Sequence, residues 1–125
     1  MILGIGADVV EIARVARLLE RYGERFARRV LGDIEWDAYR ATSHPERYLA
    51  SRFAVKEAFA KAFGTGLRAP VLLTHISVAH DALGRPLLQL APELQALSDR
   101  RGVKAHHVTL THERSIACAV VVLEA

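Results

Sequence analysis

Glu57 and Lys61 stand four residues apart in the stretch Arg52-Phe53-Ala54-Val55-Lys56-Glu57-Ala58-Phe59-Ala60-Lys61-Ala62. On a period of 3.6 residues this places a carboxylate and an ammonium on one helix face, with Phe53 a turn before them. Taken alone, the two read as an exposed ion pair worth on the order of a few tenths of a kcal/mol. A third charge widens what the pair could do. Asp8 lies near the end of the apolar run Ile2 to Val10, and a carboxylate among apolar neighbours needs a cation, a hydrogen-bond donor or a helix N-cap role. Two carboxylates beside a lysine suit a magnesium ion that keeps part of its water shell and shares phosphate oxygens. Chain spacing leaves open whether Asp8 meets Glu57.

Other chemistries lack their residues. His106 and His107 are adjacent and His112 lies six residues on, with no second cysteine or H-x-x-x-H pair to complete a tetrahedral zinc set. No serine sits in a Gly-x-Ser-x-Gly elbow. Gly4 and Gly6 invite comparison with a dinucleotide fingerprint, but the third glycine would fall at Val9. Those glycines read instead as places where another backbone or a ligand comes close.

The elements that must position these residues follow from periodicity. Ile2 to Val10 reads as a strand ending in an acidic turn. Ile12, Val15, Leu18, Leu19 and Tyr22 recur at helical spacing, giving an amphipathic helix from Glu11 to about Tyr22 with a basic outer side. Gly23 interrupts it; Arg25 to Leu31 forms a further helical turn with Phe26 and Val30 inward, and a short helix spans about Asp33 to Ala41. Ser43-His44-Pro45-Glu46 reads as a capping box opening a long helix from near His44 to Phe63, closed by Gly64. On that helix Ala54, Ala58 and Ala62 form a strip of small side chains for close packing, and Val55, Phe59 and Phe63 supply apolar bulk. A hairpin follows, from Ile76–His80 and Pro86–Leu90, then a helix from Pro92 stopping at Gly102. The alternating segment Lys104–Glu113 and the β-prone strand Ile116–Leu123 close the chain. The expected architecture is one α+β domain over residues 1–125, an antiparallel sheet packed with the long central helix.

At 125 residues one domain can bury a core without disulfides or structural metal. The single cysteine, Cys118, lies in an apolar run and is expected to be a buried, inert thiol. No stretch approaches a membrane span and no signal region leads the chain, so a cytoplasmic protein without a membrane partner is expected. The net charge is only +3, yet Arg14, Arg17, Arg21, Arg25, Arg28 and Arg29 crowd one segment, which points to an acidic partner.

Three stretches, Gly4-Ile5-Gly6-Ala7-Asp8, the Arg52–Ala62 segment and His107-Val108-Thr109-Leu110-Thr111-His112-Glu113, together resemble the holo-acyl-carrier-protein synthases, the small single-domain 4′-phosphopantetheinyl transferases. The likeness spans nearly the whole chain. Phe53 stands where many members carry tryptophan, and Thr109 where serine is frequent. The resemblance implies transfer of the phosphopantetheine arm of coenzyme A to a serine hydroxyl of an apo-acyl carrier protein, in fatty acid or polyketide synthesis, with release of adenosine 3′,5′-bisphosphate. It implies a homotrimer with active sites between subunits. Asp8 and Glu57 match the family's Mg²⁺ ligands. Glu57 matches the group that removes the serine proton, directly or through a water, and Lys61 the lysine that stabilises or protonates the departing phosphate. Arg52, Lys61, Gly64, Thr65, Gly66, Thr111 and His112 match coenzyme A-binding positions, the last two from the adjacent subunit. Arg14 and Arg21, with Arg17, Leu18 and Arg25, match the carrier-binding helix. Two rivals remain at this point, a nucleic-acid module using the arginines and another Mg²⁺-dependent enzyme acting on a nucleotide. The first leaves Asp8 and Glu57 unexplained and shows no aromatic stacking platform.

Overall fold

A computed structural model describes all residues from 1 to 125. Its centre is the helix α4 (Pro45–Phe63). Pro45 suits a first helical turn, where a missing N–H costs nothing. At the other end Gly64 takes the left-handed conformation, φ 86°, and its N–H bonds the Ala60 and Lys61 carbonyls at 3.0 and 3.2 Å. The capping box does not form. His44 occupies the N-cap position without a side-chain cap bond, which leaves Ser43 one residue outside the helix, too far back to reach the first free amides.

The other helices are α1 (Ile12–Tyr22), α2 (Glu24–Val30), α3 (Trp36–Ala41) and α5 (Pro92–Arg100), and the strands are β1 (Ile2–Glu11), β2 (Ile76–His80), β3 (Pro86–Leu90), β4 (Ala105–His112) and β5 (Ile116–Glu124). The helix expected over Asp33–Ala41 is split, because Asp33–Glu35 tightens into a 3₁₀ turn that directs Glu35 inward. Antiparallel pairing is divided between two sheets, β1-β5-β4 with β5 in the middle, and the separate hairpin β2-β3. No helix is long and apolar enough to cross a membrane.

α4 lies against the inner face of the three-stranded sheet, where Ala117, Ala119, Val121 and Leu123 of β5 are buried. The small-residue strip works as expected: Ala54, Ala58 and Ala62 are buried, and β1 approaches the helix backbone through its glycines. A Cβ on Gly4 would come within 1.9 Å of the Ala62 carbonyl oxygen, and one on Gly6 within 2.0 Å of that of Ala58. Only a residue without a side chain fits there. Phe59 and Phe63 stack with centroids 5.5 Å apart on the other side of the helix.

The outer face of the sheet is largely apolar. Ile5 and Val9 are 66% and 60% exposed, and the register sets Ile5 beside Val122, Ala7 beside Val120 and Val9 beside Cys118. Cys118 is therefore half-buried rather than buried, since strand alternation turns it away from the core.

Candidate active site

From Leu49 to Phe63 every residue of α4 is buried except Phe53, Glu57 and Lys61. These recur at every fourth position, so a helix enclosed on nearly all sides keeps one open stripe, and the expected pair sits on it. β1 faces that stripe. Its inward row runs Gly4, Gly6, Asp8, Val10; the two glycines bring the strand close, and Asp8 is the first inward position with a polar side chain.

Asp8 does not cap a helix. It lies in the middle of β1, while Glu11 takes the N-cap position of α1. Its carboxylate accepts a hydrogen bond from Lys61 Nζ at 3.1 Å, and the same ammonium donates to the Ala7 carbonyl at 3.0 Å. Lys61 thus pairs across to the strand. Glu57 completes the group. Burial first, and the Asp8 carboxylate second, raise its pKa above the ordinary carboxylate value, while Lys61 and Arg14 pull it partly back. Asp8 and Glu57, far apart in sequence, are neighbours that resist each other's charge. An all-oxygen pair of carboxylates suits a hard divalent cation that draws its remaining ligands from water and substrate, and Asp8 already recruits a cation in Lys61.

Arg14 carries the site outward. Its field reaches Glu57, and from it the exposed arginines Arg17, Arg21 and Arg25 continue along α1 and α2. Between these helices lies a groove of about 460 Å³ lined by Leu18, Tyr22, Arg25, Phe26, Arg29, Val30 and Leu73. Leu18 and Arg25 were expected on such a surface. Tyr22 was expected inward, but it is 43% exposed and forms part of the groove wall.

The residues expected to bind coenzyme A are less gathered. Gly64, Thr65 and Gly66 form an exposed turn just beyond the end of α4, and Gly64 and Thr65 border, with Arg68 and Pro70, a second recess of about 490 Å³. Thr111 and His112 lie on the edge strand β4, opposite Cys118 and Ala117 of β5. The central strand separates them from β1, and they do not meet Asp8 within one chain. Arg52 is largely enclosed. Its side chain is 11% exposed, with the guanidinium 4.0 Å over the Tyr48 ring and Nε 3.9 Å from Glu35 Oε2. The fold holds it inside.

Sequence reading also missed a buried ion pair. Lys56 is fully buried and donates to Glu35 Oε1 at 2.6 Å and to the Val30 carbonyl. One signal was present: Lys56 precedes Phe59 and Phe63 by three and seven residues, which puts it on the apolar side of α4. Glu35 had none.

The ACPS family, the 4′-phosphopantetheinyl transferase superfamily, matches residues 4–121. A holo-[acyl-carrier-protein] synthase of Nitrosospira multiformis is 55% identical over 124 residues, covering 99% of both chains. The crystal structure of the Neisseria meningitidis holo-[acyl-carrier-protein] synthase superposes with a TM-score of 0.97 at 40% identity, covering 100% of both chains. That of a Bacillus anthracis holo-(acyl-carrier-protein) synthase, in complex with CoA (3′,5′-ADP), gives 0.82 at 33% identity, over 100% of this chain and 98% of the other. With an open stripe of Glu57 and Lys61 facing Asp8 and this likeness along its whole length, the chain belongs to the holo-acyl-carrier-protein synthases of the 4′-phosphopantetheinyl transferase superfamily and is an enzyme of that kind.

Proposed function

We propose that the protein transfers the 4′-phosphopantetheine arm of coenzyme A to a serine hydroxyl of an apo-acyl carrier protein, serving fatty acid or polyketide synthesis in the cytoplasm. The observation that carries this reading is the single open stripe of α4, which sets Glu57 and Lys61 against Asp8, with Arg14 near enough to act on Glu57. The serine oxygen attacks the pyrophosphate phosphorus on the pantetheine side, a new P–O bond forms, and the bond to the bridging oxygen breaks to release adenosine 3′,5′-bisphosphate. Glu57 takes the serine proton, directly or through a water; burial and the Asp8 carboxylate raise its pKa, which makes it a better base than an ordinary carboxylate. Lys61 hydrogen-bonds the departing phosphate, whose growing charge an ammonium on an exposed stem can follow. Asp8 and Glu57 would hold a magnesium ion, which supplies neutralisation of the pyrophosphate charge when bound. Positioning and electrostatics then carry most of the catalysis, as phosphoryl transfer requires.

The Gly64-Thr65-Gly66 turn holds the nucleotide end, joined by Thr111 and His112 of a neighbouring subunit. Arg52 and Lys61 complete this set, Arg52 from a guanidinium that lies against Tyr48 and Glu35. Support for a homotrimer comes from the apolar outer sheet face around Ile5 and Val9 and from the distance at which β4 keeps Thr111 and His112 from Asp8 of their own chain. The groove between α1 and α2 is the seat of the carrier. Its apolar floor with arginines at the rim fits an acidic amphipathic helix better than a phosphate backbone.

The test is incubation with coenzyme A, Mg²⁺ and an apo-acyl carrier protein, followed by mass spectrometry of the carrier. The carrier is expected to gain one phosphopantetheine on serine, and to gain none when a chelator is present. An unmodified carrier under saturating coenzyme A would refute the reading.

A further inference from the structure

The mechanism above makes no use of the buried cluster beneath the site. Glu35 is 1% exposed and Lys56 0% exposed. The Glu35 carboxylate accepts from Lys56 Nζ at 2.6 Å, from the Gly32 N–H at 2.9 Å and from the Val78 N–H at 3.0 Å. Lys56 Nζ also donates to the carbonyl of Val30, the last residue of α2. A cation there meets the negative end of the helix dipole. One pair of side chains therefore ties three pieces of backbone to α4: the end of α2, the Gly32 turn and β2.

Stability alone does not call for charges in this place. Burial pushes the Lys56 pKa down, and the Glu35 carboxylate only partly restores it; a buried ion pair commonly contributes no more than apolar residues of the same volume. What the pair adds is direction. An apolar contact can slide, whereas a carboxylate with three donors and an ammonium with two acceptors permit one arrangement. The two structures it joins are significant. Val30, whose carbonyl Lys56 grips, lines the groove between α1 and α2. Glu57, the next residue after Lys56, projects about 100° around the helix toward Asp8.

We propose that Glu35 and Lys56 are positioning residues that hold the carrier groove in register with the Glu57 carboxylate. Their task is to deliver the carrier serine to the reacting phosphorus. The inference rests on the reading of the groove as the carrier's seat. It assigns neither residue a contact with coenzyme A.

The test uses Lys56→Met, whose unbranched side chain fills similar space without the charge, and Glu35→Leu/Lys56→Met, which also removes the carboxylate that in the single variant keeps only the Gly32 and Val78 N–H donors and the more distant Arg52 guanidinium. Kinetics are measured well below each variant's melting temperature, with carrier and coenzyme A varied in turn. Both variants are expected to lose about tenfold or more in kcat/KM for the carrier, since misplacement near 1 Å costs rates of that order or larger, while coenzyme A affinity by calorimetry stays at the parent value. Combined with Arg25→Ala on the groove, the Lys56→Met loss should shrink, because both act on carrier placement. A purely structural pair predicts lower melting temperatures with parental kinetic constants, and that result overturns the proposal. So does an equal loss for carrier and coenzyme A, or failure of both variants to fold, which would make the pair a determinant of folding. A parent enzyme that transfers nothing would instead overturn the functional reading, so the two failures are distinguishable.

Discussion

Replacing Gly6 with alanine tests the claim that a glycine contact between β1 and α4 builds the active site. A Cβ at this position would lie 2.0 Å from the Ala58 carbonyl oxygen and 2.7 Å from the Ala62 nitrogen, where side-chain carbons do not come closer than 3.0 Å. Both neighbours are backbone inside a helix, so neither can swing aside. The strand must withdraw by about 1 Å, which overpacking measurements place at roughly 1–3 kcal/mol. For a chain of this size that lowers the melting temperature by about 4–12 °C. Asp8 is two residues further along the same inward row, so withdrawal lengthens the 3.1 Å contact with Lys61 and draws Asp8 away from Glu57. A displacement of that size costs transfer on the order of 100-fold. The assay pairs a thermal melt with the rate of carrier modification at saturating substrates, far below the melting transition, so that lost activity is not lost protein. A Gly6→Ala enzyme with parental stability and parental kcat would show that β1 does not set the catalytic geometry.

Glu57→Gln should abolish transfer and yet raise the melting temperature of the metal-free protein at neutral pH. Because the folded pKa of Glu57 is raised, its contribution to stability is complete below the unfolded value and is lost as pH rises through the folded one; the advantage of glutamine should therefore close as pH falls toward 4.5, and a pH-independent difference in melts would contradict this. Arg14→Glu and Arg21→Glu should raise KM for the carrier and leave that for coenzyme A nearly unchanged. Added salt should weaken the parent's use of the carrier more than the variants', since rim charges are screened over about 8 Å at physiological ionic strength; an unchanged carrier KM in both variants counts against the docking helix. Val9→Glu, on the outer sheet face, is expected to convert the proposed trimer to a folded monomer in sedimentation and to remove transfer, because the proposed site would lose Thr111 and His112 of the neighbour. A monomeric variant of full activity would confine the site to one chain.

The sequence by itself determined most elements whose cause is local, though not the capping box at Ser43 or the unbroken helix over Asp33–Ala41. The helix from Pro45 to the glycine at 64, the hairpin around Gly84 and the alternation of β5 follow from propensity, turn chemistry and period, and the structure places them within a residue or two of expectation. The pairing of Glu57 with Lys61 on one face was equally legible, since helical spacing is a property of the chain alone. Gly4 and Gly6 signalled in the sequence that another backbone or a ligand comes close, and the packing of β1 on α4 decided that it is a backbone. What the tertiary structure decided depends on groups distant along the chain. Asp8 meets Lys61 because β1 packs on α4, more than fifty residues away in sequence. Arg52 is turned inward by Tyr48 and Glu35 although its type suggests a surface contact, and Cys118 is left half-exposed by the register of β5. The ion pair of Lys56 with Glu35 exists only because α2, the Gly32 turn and β2 converge on one side of α4. A charge can be buried there because partners from three separate segments arrive together, and no local pattern encodes that convergence.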